Sequence, residues 1–220
     1  YNTSILVANI NFDFLNFEKF FVPPSCLKVR SGYNRWSNNS AGGRLIDFNN
    51  NKFLFSHGGF KTRIFSQDES SVYGKIILID KKTKDWSIFS KGHRNVQGLY
   101  YDNLNNVILS TEHGPQGGDE INFNKIKTLQ NFKIKNFGWP ISSYGEHYGG
   151  KEKDLNKENY KEAPLNKSHS KFGFIEPIKY FVPSIGISEI KKIPLEFGSS
   201  FENDYFIGAM GNNILEGDLS

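Results

Sequence analysis

Gly43-Arg-Leu-Ile-Asp-Phe-Asn-Asn-Asn-Lys-Phe-Leu-Phe-Ser56 and Gly98-Leu-Tyr-Tyr-Asp-Asn-Leu-Asn-Asn-Val-Ile-Leu-Ser-Thr111 read as two copies of one unit. Asp47 and Asp102 stand 55 positions apart, and each opens an Asn-rich turn. The pattern predicts a strand running into that turn, a second returning to a Gly-rich loop, and a third beyond it, at Gly74–Asp80 and Glu120–Asn124. A weaker copy runs through Ile187–Ile193, Tyr205–Ala209 and Ile214–Leu219, and Ser4–Ile10 with Glu18–Val22 supply outer strands of an earlier one. Four-stranded units recurring at roughly 40–50 residues are the signature of a β-propeller, whose blades pack radially around a channel.

The rest of the chain agrees. Trp86–Ser90 reads as a further strand, and no stretch of a dozen residues carries a 3.6-residue apolar period, so the predicted class is all-β without long helices. The repeat spacing gives about three to four blades, whereas propellers close with typically 4–8. Residues 1–220 are therefore expected to form one incomplete propeller domain, a window on a longer chain that lacks blades at both ends. The stretch 151–171, dense in Lys, Glu, Asn and Ser, is expected to be a charged surface insertion.

Composition narrows the function classes. With a mean hydropathy of -0.51 a soluble folded protein is expected, and no apolar run in the sequence approaches the ~20 residues of a membrane-spanning helix. The net charge of +4 is built from basic residues interleaved with acids, as in Lys151-Glu152-Lys153-Asp154, unlike the clustered footprint of a nucleic-acid binder. A single cysteine, Cys26, excludes an internal disulfide framework and a Cys-based zinc site.

Polar chemistry concentrates in Gly92-His-Arg-Asn-Val-Gln-Gly98, in Thr111-Glu-His-Gly-Pro-Gln-Gly-Gly-Asp-Glu-Ile-Asn122 and in Asn136-Phe-Gly-Trp-Pro140. The first two bracket the strand pair of one blade, so both loops can reach one channel-facing site. Gly114–Gly118 lacks the Lys-Ser/Thr of a phosphate loop, and there is no Gly-x-Ser-x-Gly elbow. Taken alone, the glycines serve a tight turn equally well, and His93 or His113 a satisfied loop position.

Those three stretches, extended through Ile141-Ser-Ser-Tyr-Gly-Glu-His-Tyr148, resemble the soluble pyrroloquinoline-quinone (PQQ) sugar dehydrogenases, the glucose/sorbosone dehydrogenase family. Gly42-Gly43-Arg44-Leu45, Gly74-Lys75-Ile76 and Val182-Pro183-Ser184-Ile185 fall in the same order and spacing, so the resemblance spans nearly the whole chain. It implies a six-bladed propeller that oxidises an aldose sugar or related alcohol with PQQ over Ca²⁺, passing electrons to an external acceptor, in the periplasm or outside the cell. It also implies that Arg94, Asn95 and Gln97 contact the cofactor, and that the Gly114 and Pro115 carbonyls hold Ca²⁺. Asp119 and Glu120 match an acidic pair near a second, structural calcium, Glu120 being the ligand of the two; a solvent-facing carboxylate at a strand start is the alternative.

Three positions depart from the resemblance. Ser40 stands where the family has the histidine that takes the substrate's proton, and an unassisted hydroxyl is no base near neutral pH. Gly59 stands where an aspartate supports that histidine; His57, two residues away, is a substitute base by proximity. Gly211 stands where some members carry a cofactor-binding lysine. The rival reading is a non-catalytic propeller of the same family that binds a ligand or partner. A lectin-like reading has only Trp139, Tyr144 and Tyr148 as stacking platforms, aromatics that serve blade packing equally well.

Overall fold

The computed structural model describes residues 1–11, 13–27, 39–60, 62–126, 133–150 and 156–211. Strands β1 (Ile5–Ala8) and β2 (Phe17–Phe21) form an antiparallel pair. Next, β3 (Gly42–Asn49), β4 (Lys52–His57), β5 (Lys75–Asp80) and β6 (Trp86–Lys91) make an antiparallel meander. Then β7 (Val96–Asp102), β8 (Val107–Glu112) and β9 (Asp119–Lys125) make a second. The short strands β10 (Lys135–Asn136) and β11 (Lys179–Phe181) add to the outer edges, β10 parallel to β6 and β11 antiparallel to β9. Finally β12 (Ile187–Lys192) pairs with β13 (Tyr205–Ala209). Every predicted strand within the described residues is present; Ile214–Leu219 lies outside them.

The inner strands β3, β7 and β12 pack side by side, so successive sheets stand radially like propeller blades. The burial pattern follows. A blade is covered on both faces, so alternate residues of one strand enter two different cores. Leu54 of β4 and Ile76 of β5 join Leu99 and Ile108 of the next blade, whereas their neighbours Phe55 and Ile77 pack against Ile5 and Phe21. On the far side, Leu109 and Ile121 meet Ile187 and Ile190 of the β12–β13 sheet. Gly98 sits where inner strands approach closely: a Cβ there would lie 2.5 Å from the Ser188 carbonyl oxygen.

The two repeat copies differ in how they turn. Asp102 is buried and accepts from the Leu104 and Asn105 amides at 3.1 and 3.2 Å, and from Tyr205 Oη at 2.6 Å across to β13. Tyr205 and the Asn105 groups outweigh the upward push of burial and hold its carboxyl down at about 2. Asp47 is exposed and pairs with Lys81, while Asn49 closes its turn. Their intervening loops differ too. Residues 58–74 include a 3-10 turn, Arg63–Ser66, held by Lys75 Nζ, which donates to the carbonyls of Phe65, Ser66 and Tyr73 at 2.7, 3.1 and 2.8 Å. In the second blade the corresponding loop is only His113–Gly118.

Within the stretch 151–171, residues 151–155 lie outside the described set and α1 (Asn156–Glu162) is mostly exposed. The remainder departs from a surface excursion, because Ala163, Leu165 and His169 are buried. Ala163 and Leu165 pack on Trp139, and His169 reaches into the second blade.

Candidate functional site

The loops before β7 and after β8 converge on one recess, lined among others by Arg94, Glu112, His113, Gly114 and Glu120. Phe137, Trp139, Ser142, Ser143 and His169 from the excursion between β9 and β11 close it on the other side.

Arg94 is fixed at both ends. Its backbone N–H donates to Glu112 Oε2 at 2.8 Å, and its Nη1 donates to the His113 carbonyl at 3.0 Å. Its guanidinium carbon lies 5.5 Å from the centroid of Trp139, a cation–π contact. Trp139 is itself tied down, its carbonyl accepting from Ser66 Oγ and Gln67 Nε2 and its N–H donating to Gly92. Burial draws the guanidinium below its ordinary value, opposed by Tyr148 and Glu112; guanidinium stays charged in proteins regardless. Asn95 Oδ1 accepts from the Gly42 amide at 3.1 Å and from Gln97 Nε2 at 2.9 Å, so these two amides brace each other.

The Gly114–Gly118 loop is a tight turn with no room for a side chain at Gly114 or Gly118. A Cβ on Gly114 would lie 2.2 Å from the Gly118 carbonyl oxygen. The Gly114 N–H donates to Asp119 Oδ1, the Gly118 N–H to the Phe181 carbonyl, and Gln116 bridges to Glu146. Among the described residues no donor reaches the Gly114 or Pro115 carbonyl, which leaves two hard oxygen acceptors of the kind a calcium ion takes.

Beneath the recess lies a closed circuit of buried polar groups. Glu112, 4% exposed, receives Asn122 Nδ2 at 2.9 Å on Oε1, which also faces His93 Nδ1 at 3.0 Å. Burial pushes the Glu112 carboxyl up, but His93 and the Arg94 and Asn95 amides outweigh it and hold it below the usual range. Asn122 Nδ2 also reaches Glu120 Oε2 at 3.3 Å. Glu120 Oε1 stands 3.3 Å from His169 Nε2, a charge pairing aligned too poorly for a hydrogen bond. Burial and the charge of Glu112 raise the Glu120 carboxyl, while Glu120 outweighs burial and raises the His169 imidazole. His169 Nδ1 donates to the Phe137 carbonyl at 2.8 Å, and the Phe137 ring stacks on His93, which closes the circuit.

Of the two expectations for Glu120, the solvent-facing carboxylate does not hold: the residue is buried, with Oε1 near His169 Nε2 and Oε2 near Asn122 Nδ2. The substitute-base reading of His57 meets a similar obstacle. His57 is 1% exposed, its Nε2 accepts from the Thr3 N–H at 3.1 Å and its Nδ1 faces the Gly58 carbonyl at 3.2 Å. Phe55, Phe60 and Tyr73 enclose the ring, and burial pulls it down to about 4. Ser40 is held with φ of 66°, its carbonyl accepting from Phe60, and Gly59 bonds the Arg94 carbonyl. Sequence reasoning missed Glu112 as a separate element although it lies inside the Thr-Glu-His-Gly-Pro stretch. It also missed His169, which no local pattern marks.

A family model described as Glucose / Sorbosone dehydrogenase matches residues 29–217. The aldose sugar dehydrogenase YliI of Escherichia coli is 28% identical over 186 residues, covering 78% of this chain and 45% of that protein. The uncharacterized protein slr1608 of Synechocystis is 33% identical over 137 residues, covering 56% of this chain and 29% of that one. Among solved structures, the apo-form soluble aldose sugar dehydrogenase of E. coli superposes with a TM-score of 0.68 at 24% identity, covering 94% of this chain and 57% of the other. A structure described as glucose dehydrogenase gives 0.68 at 25% identity with the same coverages. The chain thus spans less than half the length of either curated relative. Its propeller blades, its loops and the match across residues 29–217 together place the chain in the glucose/sorbosone dehydrogenase family.

Proposed function

We propose that the protein oxidises an aldose sugar or related alcohol with PQQ over Ca²⁺, electrons leaving to an external acceptor, in the periplasm or outside the cell. The observation that carries this reading is the convergence of the Arg94 guanidinium and the Gly114–Pro115 turn on one recess. Gly114 and Pro115 would present their carbonyls to Ca²⁺. Arg94 would offer its remaining N–H groups to the carboxylates of the cofactor, in forked, charge-assisted bonds. Asn95 and Gln97, braced on each other, would keep Asn95 Nδ2 and Gln97 Oε1 for the ligand. When bound, PQQ supplies the quinone carbonyl that accepts hydride, and Ca²⁺ supplies the Lewis acid that polarises it. The chain's own contribution is rigidity: Trp139 floors the recess and the buried circuit fixes both loops before a ligand arrives.

A second reading, a family member that binds without turnover, is favoured by Ser40, Gly59 and the enclosed His57, none of which offers an available proton acceptor. One titration separates the two. The full-length gene product is titrated with PQQ with and without Ca²⁺, then given an aldose panel with an electron-accepting dye. Calcium-dependent binding with sugar-dependent bleaching supports the dehydrogenase; binding without bleaching supports the second reading; no binding rejects both cofactor readings. Arg94→Ala is expected to abolish PQQ binding in either case.

A further inference from the structure

We propose that Glu112 is a positioning residue that couples the loop carrying Arg94 to the loop carrying Gly114 and Pro115. The inference rests on the cofactor reading above for its functional meaning, but its mechanical content stands on the hydrogen bonds alone. Glu112 ends β8, and its side chain turns back to accept the Arg94 backbone N–H at 2.8 Å. The next residue, His113, accepts the Arg94 guanidinium on its carbonyl at 3.0 Å, and its own N–H donates to the Asn95 carbonyl at 3.0 Å. The dipeptide Glu112-His113 therefore grips Arg94 at both ends, and the Gly-Pro turn follows directly. The other carboxylate oxygen takes Asn122 Nδ2 and His93 Nδ1, so Glu112 cannot swing without breaking contacts on three sides.

The fold does not demand a carboxylate here. The position 55 residues earlier in the repeat, at the end of β4, is His57, satisfied by backbone groups and boxed by aromatic rings. A buried carboxylate is costly unless its partners repay the desolvation. In the second blade those partners are the amide of a candidate cofactor residue and the two side chains that link it to the rest of the recess.

Glu112→Gln keeps the shape and removes one acceptor oxygen, so either the Arg94 N–H or the Asn122 and His93 pair must face an amide NH₂. In the full-length gene product, judged folded by circular dichroism, we expect PQQ affinity in the presence of Ca²⁺ to weaken about tenfold or more. Amide hydrogen exchange at Arg94 should quicken by a similar factor, while exchange at Leu109, in the middle of β8, stays as in the wild type. Binding within twofold of the wild type by a folded variant overturns the proposal. If the wild type itself binds no PQQ, the cofactor reading fails, and Arg94 exchange alone decides the coupling: unchanged protection overturns it. Should Glu112→Gln not fold, Glu112→Asp, which keeps the charge but withdraws it by one methylene, carries the same expectations.

Discussion

His57 and Glu112 close the same strand in two adjacent blades, and they face opposite chemical surroundings. Around His57 the loop 58–74 folds over the strand end, bringing Phe60 and Tyr73 against the ring and leaving both nitrogens to backbone groups. Around Glu112 the loop is reduced to His113–Gly118, and the cover is supplied from elsewhere, by His93, Arg94 and Asn122. One blade top is sealed with aromatic surface; the other opens onto a recess lined by charge. The scaffold is common to both, and the loop that follows the strand differs: it encloses the end of β4 and leaves the end of β8 beside the recess.

Substitutions at these two ends should differ in kind as well as size. Glu112→Ala leaves the Arg94 amide, Asn122 and His93 without their acceptor and should cost about 3–5 kcal/mol in denaturant unfolding, the largest effect expected. The His57 corner should instead show itself through pH. Its folded value near 4 lies below the ordinary imidazole value of 6.5, so the unfolded chain takes up the proton first. Its contribution is whole above pH 6.5 and drains away as pH falls toward 4, about 3 kcal/mol in all. The stability–pH curve of His57→Gln should be flatter than the wild-type curve in that window; parallel curves would disprove the buried neutral ring.

Lys75 sharpens the contrast, since it serves the sealed blade alone. Lys75→Met should cost about 2 kcal/mol in thermal unfolding, because the carbonyls of Phe65, Ser66 and Tyr73 each lose the lysine as a donor, although Phe65 and Ser66 keep the Asp68 and Gly92 amides. The Asp47 and Asp102 pair gives the smallest test. Asp102→Asn should destabilise by about 1–2 kcal/mol, whereas Asp47→Asn, exposed and paired among the described residues with Lys81, should stay within about 0.5 kcal/mol. Equal effects at the two aspartates would show that the turns, not the buried contacts, set their worth.

The strands were legible because a blade covered on both faces writes short apolar runs between turn residues, and the copies at Asp47 and Asp102 repeat that writing. β10 and β11, two and three residues long, carry no alternation to read. Arg94, Asn95 and Gly114 stood out through their motif. The Glu120–His169 pairing did not, since it joins residues 49 positions apart and His169 sits among Ser, Lys and Asn with no periodic cue. The fate of His57 was equally hidden: proximity suggested a base, but its accessibility depends on Thr3 and Tyr73, distant in sequence.

Between β9 and β11 the chain leaves its own blade, adds β10 to the preceding one, and returns. On that route Asn136 bonds Gln67 and the Trp139 carbonyl accepts from Ser66, contacts that bridge 69 and 73 positions. Closing loops of that span is entropically slow, and it gains nothing until the partner blade exists. The recess should accordingly be among the last parts of the molecule to assemble in refolding, after both sheets have formed. Protection of the Arg94 and Trp139 amides in a pulsed exchange experiment should lag behind that of β4 and β8.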